Sequence, residues 1–227
     1  MNTREISHSR LSMGREKTFV IGDIHGCLGM LERLIDKIPW DPSKDRLIFI
    51  GDYVDRGEDS RGVVEYVVTL KQDFQNVQCL IGNHEYMLLD YLSGKDTQTY
   101  ILNGGGATLM SYDRVRQNKD DPLIPPAHLE FLSSLLPMIE LDNYYIVHAG
   151  FRPHVPIEDQ ELFDMLWIRN EFLLSEYNFG KVVIFGHTPL NNPVVMKNKI
   201  GIDTGAVFGN RLTCLELPEM RFHSVEP

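Results

Sequence analysis

Six residues with metal-ligand side chains, Asp23, His25, Asp52, Asn83, His148 and His187, each stand just past a short apolar run. The runs read FVIGDIHG at 19–26, LIFIGDYVDRG at 47–57, CLIGNHE at 79–85, YYIVHAG at 144–150 and VVIFGHT at 182–188. Short runs rich in Val, Ile and Phe form buried strands, and a side chain carried just beyond a strand end projects into the crevice where open α/β sheets bind ligands. The pattern therefore delivers the six to one place. Carboxylate and amide oxygens with imidazole nitrogens, and no thiolate, suit Mn2+, Fe or Zn2+ at sites that keep positions open for water. Two such ions about 3.5–4 Å apart can share a hydroxide and clamp phosphoryl oxygens during in-line attack.

These side chains need a scaffold, and its periodicities are visible. After the first run, Leu28, Leu31, Leu34, Ile35 and Ile38 recur at helical spacing until Pro39 stops the pattern. Residues 60–71 repeat the plan after the second run and 85–92 after the third. Consecutive βα units imply a parallel sheet. Clusters of Gly, Asn, Asp and Pro between 93 and 125 predict a loop stretch that caps the site. A helix is expected at 127–136, a strand at 144–148, a helix at 159–167 and a strand at 182–185, with the tail 200–225 in antiparallel strands. The fold class is α/β, with α+β character in the C-terminal half.

Composition narrows the classes. The 227 residues with 43% apolar content suffice for one domain, read as 18–227, whose core needs no disulfide or metal staple. Residues 1–17 mix Arg, Ser and Glu without an apolar h-region and read as a flexible extension rather than a targeting element. No run approaches the ~18–20 apolar residues of a membrane span. Three cysteines, Cys27, Cys79 and Cys214, are an odd number, which fits a reducing cytoplasm. A net charge of −10 argues against a broad nucleic-acid platform.

The ordered set GDIHG, GDYVDRG, GNHE, HAG and GHT, spanning roughly 19–188, resembles the metallo-phosphoesterase (calcineurin-like) superfamily, closely its phosphoprotein-phosphatase branch in the bacterial and bacteriophage form. The resemblance implies a four-layer sandwich of two mixed β-sheets flanked by helices, with a dimetal site at the C-terminal ends of the strands. It implies that Asp23 and His25 hold one divalent ion, that Asn83, His148 and His187 hold the other, that Asp52 bridges them, and that Mn2+ is the expected metal. His84 is implied as the general acid that protonates the leaving alkoxide, with Asp55 orienting it and holding it cationic. Arg56, in DRG, and Arg169, in LWIRN, are implied as phosphate clamps, each offering a guanidinium fork to two phosphate oxygens. Asn103, in an NGG segment followed by Thr108, is a further substrate-pocket candidate. The implied activity is hydrolysis of protein phosphoserine or phosphothreonine, and of phosphotyrosine as a further case, so the expected partners are phosphorylated proteins or small phosphate esters.

Two other functions keep the same motifs. A symmetrical diadenosine tetraphosphate hydrolase is the rival enzyme, but such enzymes lack a carboxylate at Asp55 and carry Pro where this chain has Glu58. A non-catalytic scaffold is the other, and it would tend to lose the acid or the ligands that this chain retains. Outside the motifs the ordinary readings hold. Cys27 packs a helix turn, His8, His128, His154 and His223 are surface or packing residues, and Gly104–Gly106 form a turn rather than a phosphate cradle.

Overall fold

In the computed structural model, which describes residues 16–227, the first three runs form parallel strands β1 (Thr18–Ile21), β2 (Arg46–Phe49) and β3 (Val77–Cys79). The second group comprises β4 (Met138–Glu140), β5 (Tyr144–Val147), β6 (Val182–Phe185), β7 (Val194–Val195) and β8 (Lys199–Gly201), and the chain ends in the hairpin β9 (Leu212–Leu217) and β10 (Arg221–Val225). Two mixed five-stranded sheets result, ordered β10-β9-β1-β2-β3 and β4-β5-β6-β8-β7.

Side-chain alternation along the strands builds three apolar layers. Val20, Ile48 and Leu215 of the first sheet meet Ile146, Ile184 and Ile200 of the second across the space between the sheets. Their neighbours Phe19, Ile21, Leu47 and Phe49 point the other way, against the helices α1 (Leu28–Lys37) and α2 (Ser60–Asp73). Residues one apart on a strand face opposite sides, so a strand buried on both faces reads as a continuous apolar run. Helices α3 (Asn83–Leu92), α4 (Gln98–Tyr100), α5 (Gly106–Asp113) and α6 (Pro126–Ser133) complete the first outer layer. The other face of the second sheet, with Val147, Val183 and Phe185, packs on α7 (Leu162–Trp167) and α8 (Asn170–Leu173) through Met165 and Phe172. The four-layer sandwich is present. Among the described residues no helix is long and apolar enough to cross a membrane.

Three local expectations are corrected. The 93–125 stretch is not all loop: α4 runs into a π-helical turn at Ile101–Gly105 and then into α5, because the glycines permit the kink, with Gly104 at φ 102°, while the residues after them are helix-compatible. The tail divides between the sheets: β9 and β10 are antiparallel, but β8 joins β6 in parallel and is antiparallel only to the short β7. The helix expected at 159–167 begins only at Leu162, after a single 3-10 turn at Ile157–Asp159. The N-terminal extension falls, for residues 1–15, outside the described residues.

Candidate metal centre

The C-terminal ends of β1, β2, β5 and β6 and the start of α3 converge at one edge of the sandwich, and the six motif residues are all buried there. His148 Nδ1 faces the carbonyl of Ile50 at 2.9 Å, and His25 Nδ1 faces that of Val54 at 2.8 Å. A carbonyl accepts only, so each neutral ring carries its proton on Nδ1 and turns the Nε2 lone pair inward. That fixed orientation is how metal-binding imidazoles are held. His148 Nε2 then lies 2.9 Å from Asn83 Oδ1 and 3.5 Å from Asp52 Oδ1, while His25 Nε2 lies 3.3 Å from Asp52 Oδ2. His187 Nδ1 also approaches Asn83 Oδ1, at 2.9 Å.

Converging lone pairs around a shared carboxylate call for cations. Asp23 adds to this: its Oδ2 accepts from the His187 backbone N–H at 3.0 Å, but its buried Oδ1 has no partner. Burial, with the neighbouring carboxylates of Asp203 and Asp52, pushes the Asp23 carboxyl well above its ordinary range. Burial also pushes Asp52 up, but His148, His84 and His25 together hold it well below the usual carboxylate range. His187 is driven down to about 3, by burial first and then by His148, so it is neutral and available as a ligand. The donor set therefore fits divalent ions. Two groups, His25–Asp52–His84 and Asp52–His148–His187, bring their ligand atoms within 4.8 Å of one another, and they share Asp52.

His84 differs from the other imidazoles in its Nδ1 partner, a carboxylate. Its Nδ1 lies 2.6 Å from Asp55 Oδ2, with both side chains buried. Asp55 Oδ1 accepts from Tyr100 Oη at 2.8 Å and Thr108 Oγ1 at 2.6 Å, so the carboxylate is fully satisfied and its position is fixed from three sides. The His84 ring meets that of His25 edge to face, with centroids 4.6 Å apart. Arg56 Nη1 donates to His25 Nε2 at 2.7 Å and Arg169 Nε to His187 Nε2 at 3.0 Å, so one exposed guanidinium flanks each cluster. Among the described residues, neither forms an ion pair with a carboxylate. Ten of the eleven site candidates are thus brought together. Asn103 is not among them: it is exposed on the π-helical turn and lines a neighbouring cavity.

The backbone bears the cost of this convergence. Of seven non-glycine residues with positive φ among the described residues, five are His25, Asp52, Asp55, Arg56 and His187. Left-handed backbone is unfavourable for such residues and persists where the surroundings fix it. One fixing element, Glu85, went unseen in the sequence: its carboxylate accepts from the backbone N–H groups of Asp52 and Tyr53, each at 2.8 Å, of Gly82 at 3.0 Å and of Val54 at 3.2 Å. Glu85 sits at the third position of α3, and that spacing was the available signal. Tyr100 and Thr108 lay hidden in the supposed loop. The Gly104 carbonyl accepts from the Arg56 backbone N–H at 3.2 Å, so the glycine turn braces the arginine. Cys27 is half-buried with its thiol pushed up by burial, consistent with a packing role.

Comparison with known proteins identifies the family. The calcineurin-like phosphoesterase family matches residues 17–212. A bis(5'-nucleosyl)-tetraphosphatase PrpE [asymmetrical] of Bacillus mycoides is 29% identical, covering 91% of this chain and 92% of that protein. Serine/threonine-protein phosphatase 1 of Salmonella typhimurium is 32% identical, covering 86% of this chain and 89% of its own. The crystal structure of a putative diadenosine tetraphosphatase superposes with a TM-score of 0.73 over 93% of both chains at 24% identity, a likeness of fold. With the family matched over most of its length and the converging ligands present, the chain belongs to the calcineurin-like phosphoesterases and is a metallophosphoesterase.

Proposed function

We propose that this phosphoesterase is a phosphomonoesterase acting on phosphoserine and phosphothreonine in proteins, with phosphotyrosine as a further substrate. The observation that carries this reading is the buried His84–Asp55 pair at 2.6 Å, whose imidazole also lies within reach of His25 and Asp52. Asp55 accepts the Nδ1 proton, which leaves Nε2 as the atom that gives a proton to the leaving oxygen. An alkoxide is a poor leaving group, and an acid held in place contributes most where the leaving oxygen is most basic.

In this reading Asp23 and His25 hold one divalent ion, Asn83, His148 and His187 hold the other, and Asp52 lies between. Two ions held there, Mn2+ in our assignment, supply Lewis-acid polarisation of the phosphoryl group and activation of the attacking water. Arg56 and Arg169 bind the phosphate oxygens from either side, since each is exposed, forms no ion pair with a carboxylate among the described residues and lies next to a ligand imidazole. His84 is assigned as the acid rather than a ligand because its Nδ1 faces a carboxylate, where those of His25 and His148 face backbone carbonyls, and because the orphaned oxygen of Asp23 offers a ligand in its place.

A substrate panel on purified protein with Mn2+ tests the assignment. Specificity constants for phosphopeptides should exceed that for diadenosine tetraphosphate; a tenfold preference for the dinucleotide would overturn it. The names of relatives favour a second reading, asymmetrical cleavage of dinucleoside tetraphosphates, since the PrpE proteins align over 91% of this chain. That activity yields a nucleoside triphosphate and a monophosphate. The symmetrical alternative yields two diphosphates, so product analysis separates them.

A further inference from the structure

Beside the metal centre lies a cavity of about 270 Å3, lined by Tyr86, Met87, Asp90, Asp96, Thr99, Tyr100, Asn103, Phe163 and Trp167. We infer that this cavity is a subsite for a planar ring carried on the scissile phosphate, with Trp167, Phe163 and Tyr86 as its stacking surfaces. The inference rests on the phosphoesterase reading and goes beyond it by assigning the part of the substrate that is not phosphate.

Position is the first argument. Tyr86, Met87 and Asp90 fall three, four and seven residues after Asn83 on α3, so they share the stripe that begins at a ligand candidate. Seven residues of helix rise about 10 Å. The opposite wall is α7, where Phe163 and Trp167 are four apart and Arg169 follows two residues later. The floor is Tyr100, whose hydroxyl holds Asp55. The cavity is thus walled by the helix that carries His84 and by the segment that ends at Arg169, which puts it on the side of the proposed acid, where a leaving group would lie.

Chemistry is the second. Phe163 stacks on Trp167 with centroids 5.2 Å apart and planes at 13°, and Trp167 meets Tyr86 edge to face at 5.3 Å. Phe163 remains 66% exposed. A large apolar ring left in water beside a site is a contact surface awaiting a partner. At the far end stand Asp90, paired with exposed Lys95 at 3.0 Å, and Asp96, whose Oδ1 accepts from Thr99 N at 3.0 Å. Each keeps a second carboxylate oxygen that accepts N–H or O–H donors from the far edge of a ligand. The volume falls just short of the ~300–1,000 Å3 typical of drug-sized ligands, so it admits one ring with its attached group. A phosphotyrosine side chain and one nucleoside end of a dinucleotide both supply that chemistry.

The test uses full-length protein with Mn2+. Kinetics of Trp167→Ala and Phe163→Ala are compared on matched phosphotyrosine and phosphoserine peptides and on diadenosine tetraphosphate. Stacking losses predict a fall of roughly 3–10-fold in the ratio of kcat/KM for a ring-bearing substrate to that for phosphoserine, with partial rescue by Trp167→Phe. Loss on the peptide ring identifies tyrosine as the source, and loss on the dinucleotide identifies the base. An equal loss on all three substrates would mean that Trp167 only positions Arg169 and would overturn the subsite, as would no change. A second readout is independent of turnover. In Trp40→Phe protein, fluorescence of the remaining Trp167 should be quenched saturably by phenylphosphonate and much less by methylphosphonate. Equal responses overturn the subsite even in a protein active on every ester, whereas selective quenching in a protein inactive on all of them would sink the phosphatase reading alone.

Discussion

Replacing Asp55 by Asn changes one oxygen to an amide nitrogen, and three donors register the change. In the native site Oδ2 accepts from His84 at 2.6 Å, while Oδ1 accepts from Tyr100 at 2.8 Å and Thr108 at 2.6 Å. An asparagine has one acceptor oxygen and a donor NH2 group. If the oxygen faces His84, the NH2 group points at two hydroxyls, which must turn and find other acceptors. If the NH2 group faces His84, the imidazole has to accept at Nδ1, its proton moves to Nε2, and the ring loses the acceptor that fixes its tautomer and orientation. Hydrogen bonds to a charged group contribute about 1.5–3 kcal/mol, and ~1.4 kcal/mol is tenfold in rate. The variant should therefore lose roughly 10–100-fold in kcat on a phosphoserine peptide. On p-nitrophenyl phosphate, whose leaving oxygen needs little proton, the loss should be several-fold smaller. The assay is a pair of steady-state kcat values with elemental analysis of bound metal. Equal losses on both esters at full metal content would refute the acid assignment, and metal loss would make Asp55 a support of the ligand loops.

Other expectations follow from neighbouring contacts. Chelation and dialysis should abolish turnover and Mn2+ should restore it; full activity in protein shown to be metal-free would exclude the dimetal assignment. His84→Asn should retain both ions by elemental analysis while kcat on alkyl phosphates falls roughly 10²–10⁴-fold, so loss of an ion would make His84 a ligand. Arg169→Ala should raise KM more than it lowers kcat, and wild-type kinetics would show that LWIRN is merely a helix end. On the far side of the first sheet, burial pushes Glu216 up, but hydrogen bonds from Lys17 at 2.6 Å and His223 at 2.7 Å outweigh it and hold the carboxyl below its ordinary 4.5. A depressed folded value adds stability that is complete above pH 4.5 and lost as pH falls through the folded value, so Glu216→Gln should flatten the acid limb of a Tm-against-pH profile. An unchanged limb would show that the cluster is not a source of acid sensitivity.

Strands β1, β2 and β6 are legible in the sequence because each is buried on both faces. Val20 and Phe19 pack into different apolar layers, so no polar residue interrupts the run, and the run stops where the ligand begins. Periodicity of this kind cannot reveal which sheet a strand joins. Ile200 and Leu215 read alike, yet they belong to different sheets and meet across the space between them. Propensity misled where glycines clustered: NGGG marks a turn in most contexts, but here it joins two helical segments through a single left-handed residue.

At the candidate site, the six ligand candidates that converge could be picked out from the sequence, whereas braces such as Glu85 and Thr108 could not. A ligand declares itself by residue type at a strand end. A brace such as Glu85 or Thr108 is defined by a partner 31–33 or 53 positions away, which no local pattern encodes. The five left-handed residues show why braces are needed. Each places a functional side chain at an angle that relaxed extended or helical backbone would not give, at a cost of ~1–3 kcal/mol apiece. Glu85 offsets part of that cost by taking four otherwise unpaired N–H groups of the Asp52–Val54 and Gly82 segments. The strain and its support are therefore one device: where the loop is bent furthest from ordinary backbone, a buried carboxylate collects the donors that the bend exposes.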